Sequence, residues 1–140
     1  GFCSGSGIAQ LAAVKIREKL QMGDTVSFCM NPDDVNLVTA QTVAEAAYLG
    51  DPLAIEIYEI CGTYMGKALS ILIDILNPEM ILLGSIFVRS GDLLIPAINK
   101  QIEAEALSHS VQVCKIAAAK LGESIGDYAA LSVAAYQLEN

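Results

Sequence analysis

One stretch constrains the fold more than any other: Leu76-Asn77-Pro78-Glu79-Met80-Ile81-Leu82-Leu83-Gly84-Ser85. A long helical pattern runs into Asn77-Pro78, where proline disfavours helical geometry in the residue before it. The apolar run Met80 to Leu83 reads as a buried strand, and Gly84 ends it. The order is long helix, proline stop, buried strand, glycine exit. In α/β folds, ligands sit where parallel strands leave the sheet. A site is therefore expected at this exit.

The helix that feeds the strand is predicted from Pro52 to about Leu76. Gly50 ends the element before it, Asp51 caps it, and Pro52 takes its first position. Its polar residues are Glu56, Glu59, Thr63, Lys67, Ser70 and Asp74, at spacings of 3, 4, 4, 3 and 4. They form one narrow stripe, and the rest is apolar or small. The helix should be mostly buried, showing water along one edge. Gly62 and Gly66 would let another backbone come close.

Upstream, Ser4-Gly5-Ser6-Gly7 forms a small cap region for a helix from about Ile8 to Gln21, closed by Gly23. Thr25 to Val38 lacks a clean period and carries turn chemistry at Asn31-Pro32-Asp33-Asp34. Thr39 caps a helix from about Ala40 to Leu49. Downstream, Asp92 starts a helix from about Leu93 to Leu107, with Pro96 tolerable in its first turn. Ser108-His109-Ser110 breaks it, and Val111 to Ile116 reads as a second strand. Strand, helix, strand makes a βαβ unit, so the strands should be parallel and the crossover right-handed. Leu121 to Gly126 is the second strand's exit loop. A last helix, about Asp127 to Leu138, is alanine-rich and expected to pack on the sheet. Two parallel strands leave open edges, so further strands upstream, or a partner, should cover them.

At 140 residues, 54% hydrophobic and 17% charged, the chain suits one globular domain. A net charge of −8 gives no basic footprint for nucleic acid, and argues against docking on acidic lipid. The most apolar segment, Ala68 to Leu76, is too short and too polar to span a membrane. Cys3, Cys29, Cys61 and Cys114 match no zinc or redox spacing, and read as reduced thiols of a cytoplasmic protein. The start shows no basic region followed by an apolar core, so no signal peptide is expected, and opening at Gly1-Phe2-Cys3 without an initiator Met suggests a fragment of something longer. His109 reads as an exposed linker residue. Glu123 and Asp127 read as caps of the last helix, and Glu56 and Glu59 as a solvated stripe rather than an acid/base pair.

Five motifs in order carry a resemblance. They are Ser4-Gly5-Ser6-Gly7-Ile8-Ala9, Ala47 with Gly50-Asp51-Pro52-Leu53-Ala54, Asn77-Pro78-Glu79-Met80-Ile81-Leu82-Leu83-Gly84, Gly91-Asp92, and Leu121-Gly122-Glu123-Ser124-Ile125-Gly126-Asp127-Tyr128-Ala129-Ala130. The set resembles the C-terminal part of the ROK family, which holds bacterial sugar kinases, glucokinase among them, and sugar-responsive transcriptional repressors. The resemblance implies an α/β fold: the C-terminal part of an actin-like ATPase (ribonuclease H-like) lobe, helix-rich with a parallel βαβ unit. Residues 1–140 would be a single partial domain, the C-terminal lobe fragment of a ROK-type protein.

The family's phosphate loop, catalytic aspartate, sugar-binding Glu and His, and zinc-binding Cys/His cluster would all lie upstream. No catalytic or metal residue is therefore assigned here, and Cys3 would neighbour the zinc site rather than bind it. What remains is the nucleotide side. In the kinases a run of glycines after Asn-Pro-Glu lets backbone approach adenosine. Here that run reads Gly84-Ser85-Ile86, the assigned cofactor-binding residues, with Ser85 offering a hydroxyl and Ile86 adding bulk. The resemblance implies a parent protein that moves phosphoryl from ATP, with Mg²⁺, to a hexose or related sugar, the fragment being inactive alone. The alternative is a repressor that senses sugar without phosphorylating it. A homo-oligomer is expected in either case.

Overall fold

The computed structural model describes residues 1–138. In chain order it holds α1 (Gly5–Gln21), a 3-10 turn (Pro32–Leu37), α2 (Ala40–Tyr48), α3 (Pro52–Leu76), β1 (Met80–Leu83) and α4 (Ile86–Glu105). Then follow α5 (Ser108–Val113), β2 (Lys115–Ala118), a second 3-10 turn (Gly122–Ser124) and α6 (Ile125–Leu138).

Side chains next to the free amides set the helix starts. The Ser4 hydroxyl accepts from Gly7 N–H at 3.2 Å, and the Asp51 carboxylate accepts from Ala54 N–H at 2.9 Å. Thr39 and Thr42 cap α2 reciprocally, each side chain accepting from the other's backbone N–H. At its far end α3 stops on Asn77 in the left-handed region (φ 43°, ψ 52°), which asparagine tolerates better than most residues. Pro78 then carries the chain away from the helix.

The core lies among the first four helices. Ile8, Ala12 and Ile16 of α1, Val43 of α2, Ile57 of α3, and Leu94 and Ile98 of α4 expose no surface. Each large apolar side chain removed from water contributes about 1.5–3 kcal/mol. The tightest seam is between α3 and α4. A Cβ on Gly62 would stand 2.8 Å from the Leu94 carbonyl oxygen, and one on Gly66 would stand 2.9 Å from that of Ile98. Contacts rise together along both helices, so α3 and α4 run parallel.

β1 and β2 pair in parallel, with Met80 opposite Lys115 and Leu83 opposite Ala118. Their connection holds α4 and α5, the long crossover that a parallel pair needs. Ile81, Leu83 and Ile116 pack against the helical core. Met80 and Leu82 point to the other face and are exposed.

β1, expected to be a buried strand, packs on one face only, because among the described residues nothing covers Met80 and Leu82. Four further expectations need correction. The second strand occupies Lys115–Ala118, not Val111–Ile116, because residues 111–113 complete α5 and Val111 packs on the core. Pairing begins where Lys115 N–H reaches the Glu79 carbonyl, at 2.9 Å. The helix after β1 begins at Ile86 rather than Leu93, because a positive φ at Ser85 turns the chain straight into it. Pro96 therefore lies inside α4, not in its first turn.

Third, α3 is not mostly buried. Tyr64, Ile71, Leu72 and Ile75 are exposed, since α1, α2 and α4 cover only part of its circumference. Conversely, Ser70 of the polar stripe is buried, with its hydroxyl donating to the Gly66 carbonyl at 2.9 Å. Finally, α6 does not pack on the sheet: every residue from Ile125 to Tyr136 is exposed. Ala129, Ala130, Ala134 and Ala135 remove little apolar area from water, so burial draws the helix only weakly onto a two-stranded sheet. No helix among the described residues is long and apolar enough to cross a membrane.

Candidate nucleotide-facing wall at the exit from β1

The chain leaves β1 at Gly84, which is exposed, and a Cβ added there would meet nothing within 4 Å. Packing against protein therefore does not demand glycine at this position. Ser85 follows at φ 52°, ψ −119°, a conformation that glycine adopts freely and a residue with a Cβ does not. Holding it there costs about 1–3 kcal/mol. Ser85 is exposed, and its side chain makes no capping bond to α4.

Ile86 turns the opposite way. It is buried, as is Phe87, and both belong to the core. The bulk expected of Ile86 is thus directed inward. The outward surface of the exit is the Gly84-Ser85 backbone and one hydroxyl. Phe87 N–H to the Gly84 carbonyl (3.2 Å) and Val88 N–H to the Ser85 carbonyl (3.0 Å) close the first turn of α4.

The second exit lies alongside the first. Ala119 N–H bonds the Leu83 carbonyl at 2.9 Å. Gly122, at φ 53°, would place a Cβ 3.7 Å from Val88 of α4's first turn. The parallel pairing thus brings two glycine-marked exits to one end of the sheet.

Behind the exit lies a polar cluster that sequence reasoning missed. Tyr58, from the middle of α3, donates to the Ala40 carbonyl at 3.1 Å and meets the Ser90 hydroxyl at 3.1 Å. Ser90 in turn lies 3.3 Å from the Ile86 carbonyl. Burial raises the Tyr58 phenol above its ordinary range, while the Ser90 hydrogen bond opposes the rise. Nearby, Tyr48 donates to Asp92 at 2.7 Å. Burial, then that carboxylate, push the Tyr48 phenol up to about 12. A 470 Å³ groove between α2 and α4 is lined by Ala40, Ala44, Tyr48, Ile86 and Ser90. A tyrosine in an apolar helix was the one available signal, since a buried Tyr hydroxyl usually finds a partner.

The remaining candidates lie elsewhere. His109 is exposed on α5, and Asp127 is in the first turn of α6. The Glu123 side chain falls outside what the structure describes. Glu56 pairs with Lys15 at 2.7 Å, tying α3 to α1. Glu59 lines a separate 380 Å³ cleft with Thr63, Asp92 and Lys100. All four cysteines are free, with Cys29 and Cys61 buried. Burial, with a smaller contribution from Cys3, pushes the Cys61 thiol up to about 12. Among the described residues no group of three or more His, Cys, Asp or Glu could hold a metal ion.

The chain is similar to known proteins in sequence and in fold. The chain is 29% identical to a glucokinase of Halalkalibacterium halodurans over 123 residues, covering 88% of this chain and 36% of that one. It is 28% identical to the DNA-binding transcriptional repressor Mlc of Escherichia coli over 110 residues, covering 76% and 26%. The chain thus spans only about a third, or less, of these relatives. A ROK family glucokinase from Streptomyces griseus, solved with glucose and AMPPNP, superposes with a TM-score of 0.69 at 20% identity, covering 86% of this chain and 39% of that one. That likeness shows the fold, an actin-like ATPase architecture. The ROK family model matches residues 1–136, and the chain belongs to that family.

Proposed function

We propose that this chain forms the nucleotide-facing wall of a ROK-type sugar kinase, the C-terminal lobe of an enzyme that moves the γ-phosphoryl group of ATP to a hexose hydroxyl. One observation carries the proposal: Ser85 keeps a glycine-like backbone at an open strand exit, although it bears a Cβ. A strained residue persists only where its surroundings hold it, and such residues cluster at functional sites. The residues fit the role of a wall. Gly84 leaves space, Ser85 offers one hydroxyl, and Ile86 withdraws into the core. When bound, ATP with Mg²⁺ supplies the transferable phosphoryl group, and catalysis of this type is positioning plus charge stabilisation. This chain would position the nucleotide, exclude water from one side and leave proton transfer to the other lobe. Calorimetric titration of the full-length parent tests this. Heat is expected with AMPPNP and with a hexose, and heat with the hexose but none with the nucleotide overturns it.

A second reading has its own support. The side chain at Ser85 stands where the family's kinases resemble one another in having glycine, which favours a sugar-responsive repressor that has no use for ATP. The upstream sequence separates the two. A basic helix-turn-helix segment favours the repressor, and an Asp-x-Gly-x-Thr-like strand turn favours the kinase. Under either reading we expect self-association through the open sheet edge and the uncovered side of α3. A clean monomer at high concentration in the ultracentrifuge would overturn that expectation.

A further inference from the structure

α4 is two pieces. Ser90 (φ −148°, ψ 37°) is not helical, and it separates the single turn Ile86–Arg89 from the long remainder of the helix. A lone turn is a poor helix, because its nucleus fixes several dihedrals for one hydrogen bond. Yet this turn holds Ser85 in its strained conformation. Among the contacts that pin it are the burial of Ile86 and Phe87, and the hydroxyl of Ser90, itself 2% exposed.

Tyr58 is 1% exposed and stands between α2 and that hydroxyl. Three contacts join Ala40, Tyr58, Ser90 and Ile86, but the two hydroxyls have one hydrogen each. With Tyr58 donating to Ala40, Ser90 serves either Tyr58 or the Ile86 carbonyl. When Ser90 serves Tyr58, the phenol oxygen ties Ser90, and the turn before it, to α2 and α3. The Ser85 side chain makes no capping bond to α4 that could replace it.

We propose that Tyr58 is a positioning residue for the Gly84-Ser85-Ile86 wall, acting through Ser90. Its effect on nucleotide rests on the kinase reading, whereas its effect on the turn does not. Tyr58→Phe keeps the ring and removes only the hydroxyl, and Ser90→Ala removes the other half of the relay. Both are made in the full-length parent and read by amide exchange and by kinetics. Exchange over residues 84–90 should quicken roughly tenfold, the scale of about one lost buried hydrogen bond, while exchange over residues 94–102 stays unchanged. The KM for ATP should rise by a similar factor, with the KM for the hexose unmoved. Unchanged exchange over 84–90, a rise spread evenly over both segments, or an equal rise in both KM values would overturn the proposal. If the parent takes no nucleotide, the kinase reading falls and the exchange pattern alone decides on Tyr58.

Discussion

Of the places where glycine geometry matters, two do so for opposite reasons. Along the α3–α4 seam, Gly62 and Gly66 face the backbone of a second helix, and a Cβ would collide with carbonyl oxygens that cannot move aside. At the exit from β1, Gly84 faces open space, while its neighbour adopts a glycine conformation without being glycine. The seam needs a missing atom, and the exit needs a backbone angle. A substitution that fills space should ruin the first and spare the second. A substitution that removes a Cβ should help only the second.

The largest effect is expected at the seam. Gly66→Val should destabilise by about 3 kcal/mol or more in chemical denaturation, because α3 and α4 must separate to admit the side chain. Near-wild-type stability would mean that the helices already have slack. Alkaline titration attacks the same region without mutation. Cys61, next to Gly62, is pushed up from 9.0 to about 12, so the fold favours its protonated thiol. That stability should be intact below pH 9 and lost as pH rises toward 12, because the unfolded thiol ionises first. Cys61→Ala should make this alkaline limb shallower, leaving the part due to Tyr48 and Tyr58, a change visible in thermal midpoints recorded across pH.

At the exit the signs reverse. Ser85→Gly should stabilise by about 1 kcal/mol or more, by releasing the positive-φ strain. A loss of stability would instead mean that the hydroxyl is bonded in solution. The smallest effect belongs to Gly84→Ala, which should change stability by no more than about 0.5 kcal/mol, as for a surface position. Should the kinase reading hold, the same methyl group should weaken nucleotide binding in the full-length parent.

Much of this contrast was legible in the sequence. Asp51, Pro52 and Pro78 fixed both ends of α3, because capping chemistry and proline geometry act locally. The Gly62/Gly66 spacing pointed to a close approach, and β1 lay where its apolar run ended at Gly84. Residues 111–116 misled because Val111, Val113 and Ile116 are β-branched residues that strands favour, while the chain spends the first of them finishing a turn of α5. The outward sides of α3 and α6 misled for another reason. Apolar residues signal burial but not what they are buried against; the neighbours present cover one side of α3 and leave residues 125–136 of α6 exposed. The positive φ at Ser85 was illegible, because serine carries no left-handed signature. The Tyr58–Ser90 contact joins residues 32 apart, beyond any local rule.

Left-handed residues stand at both ends of β1: Asn77 three positions before it and Ser85 two after it. Together they act as a register lock. Sliding the chain one residue forward would ask Leu76 to take the angles of Asn77. Sliding it back would ask Pro78 and Ile86 to take left-handed angles, which the proline ring forbids and a β-branched side chain strongly resists. A one-residue slip would also turn Ile81 and Leu83 away from the core, so their packing asks for the same register. The angles at the two ends of the strand add a backbone hold to that of the side chains.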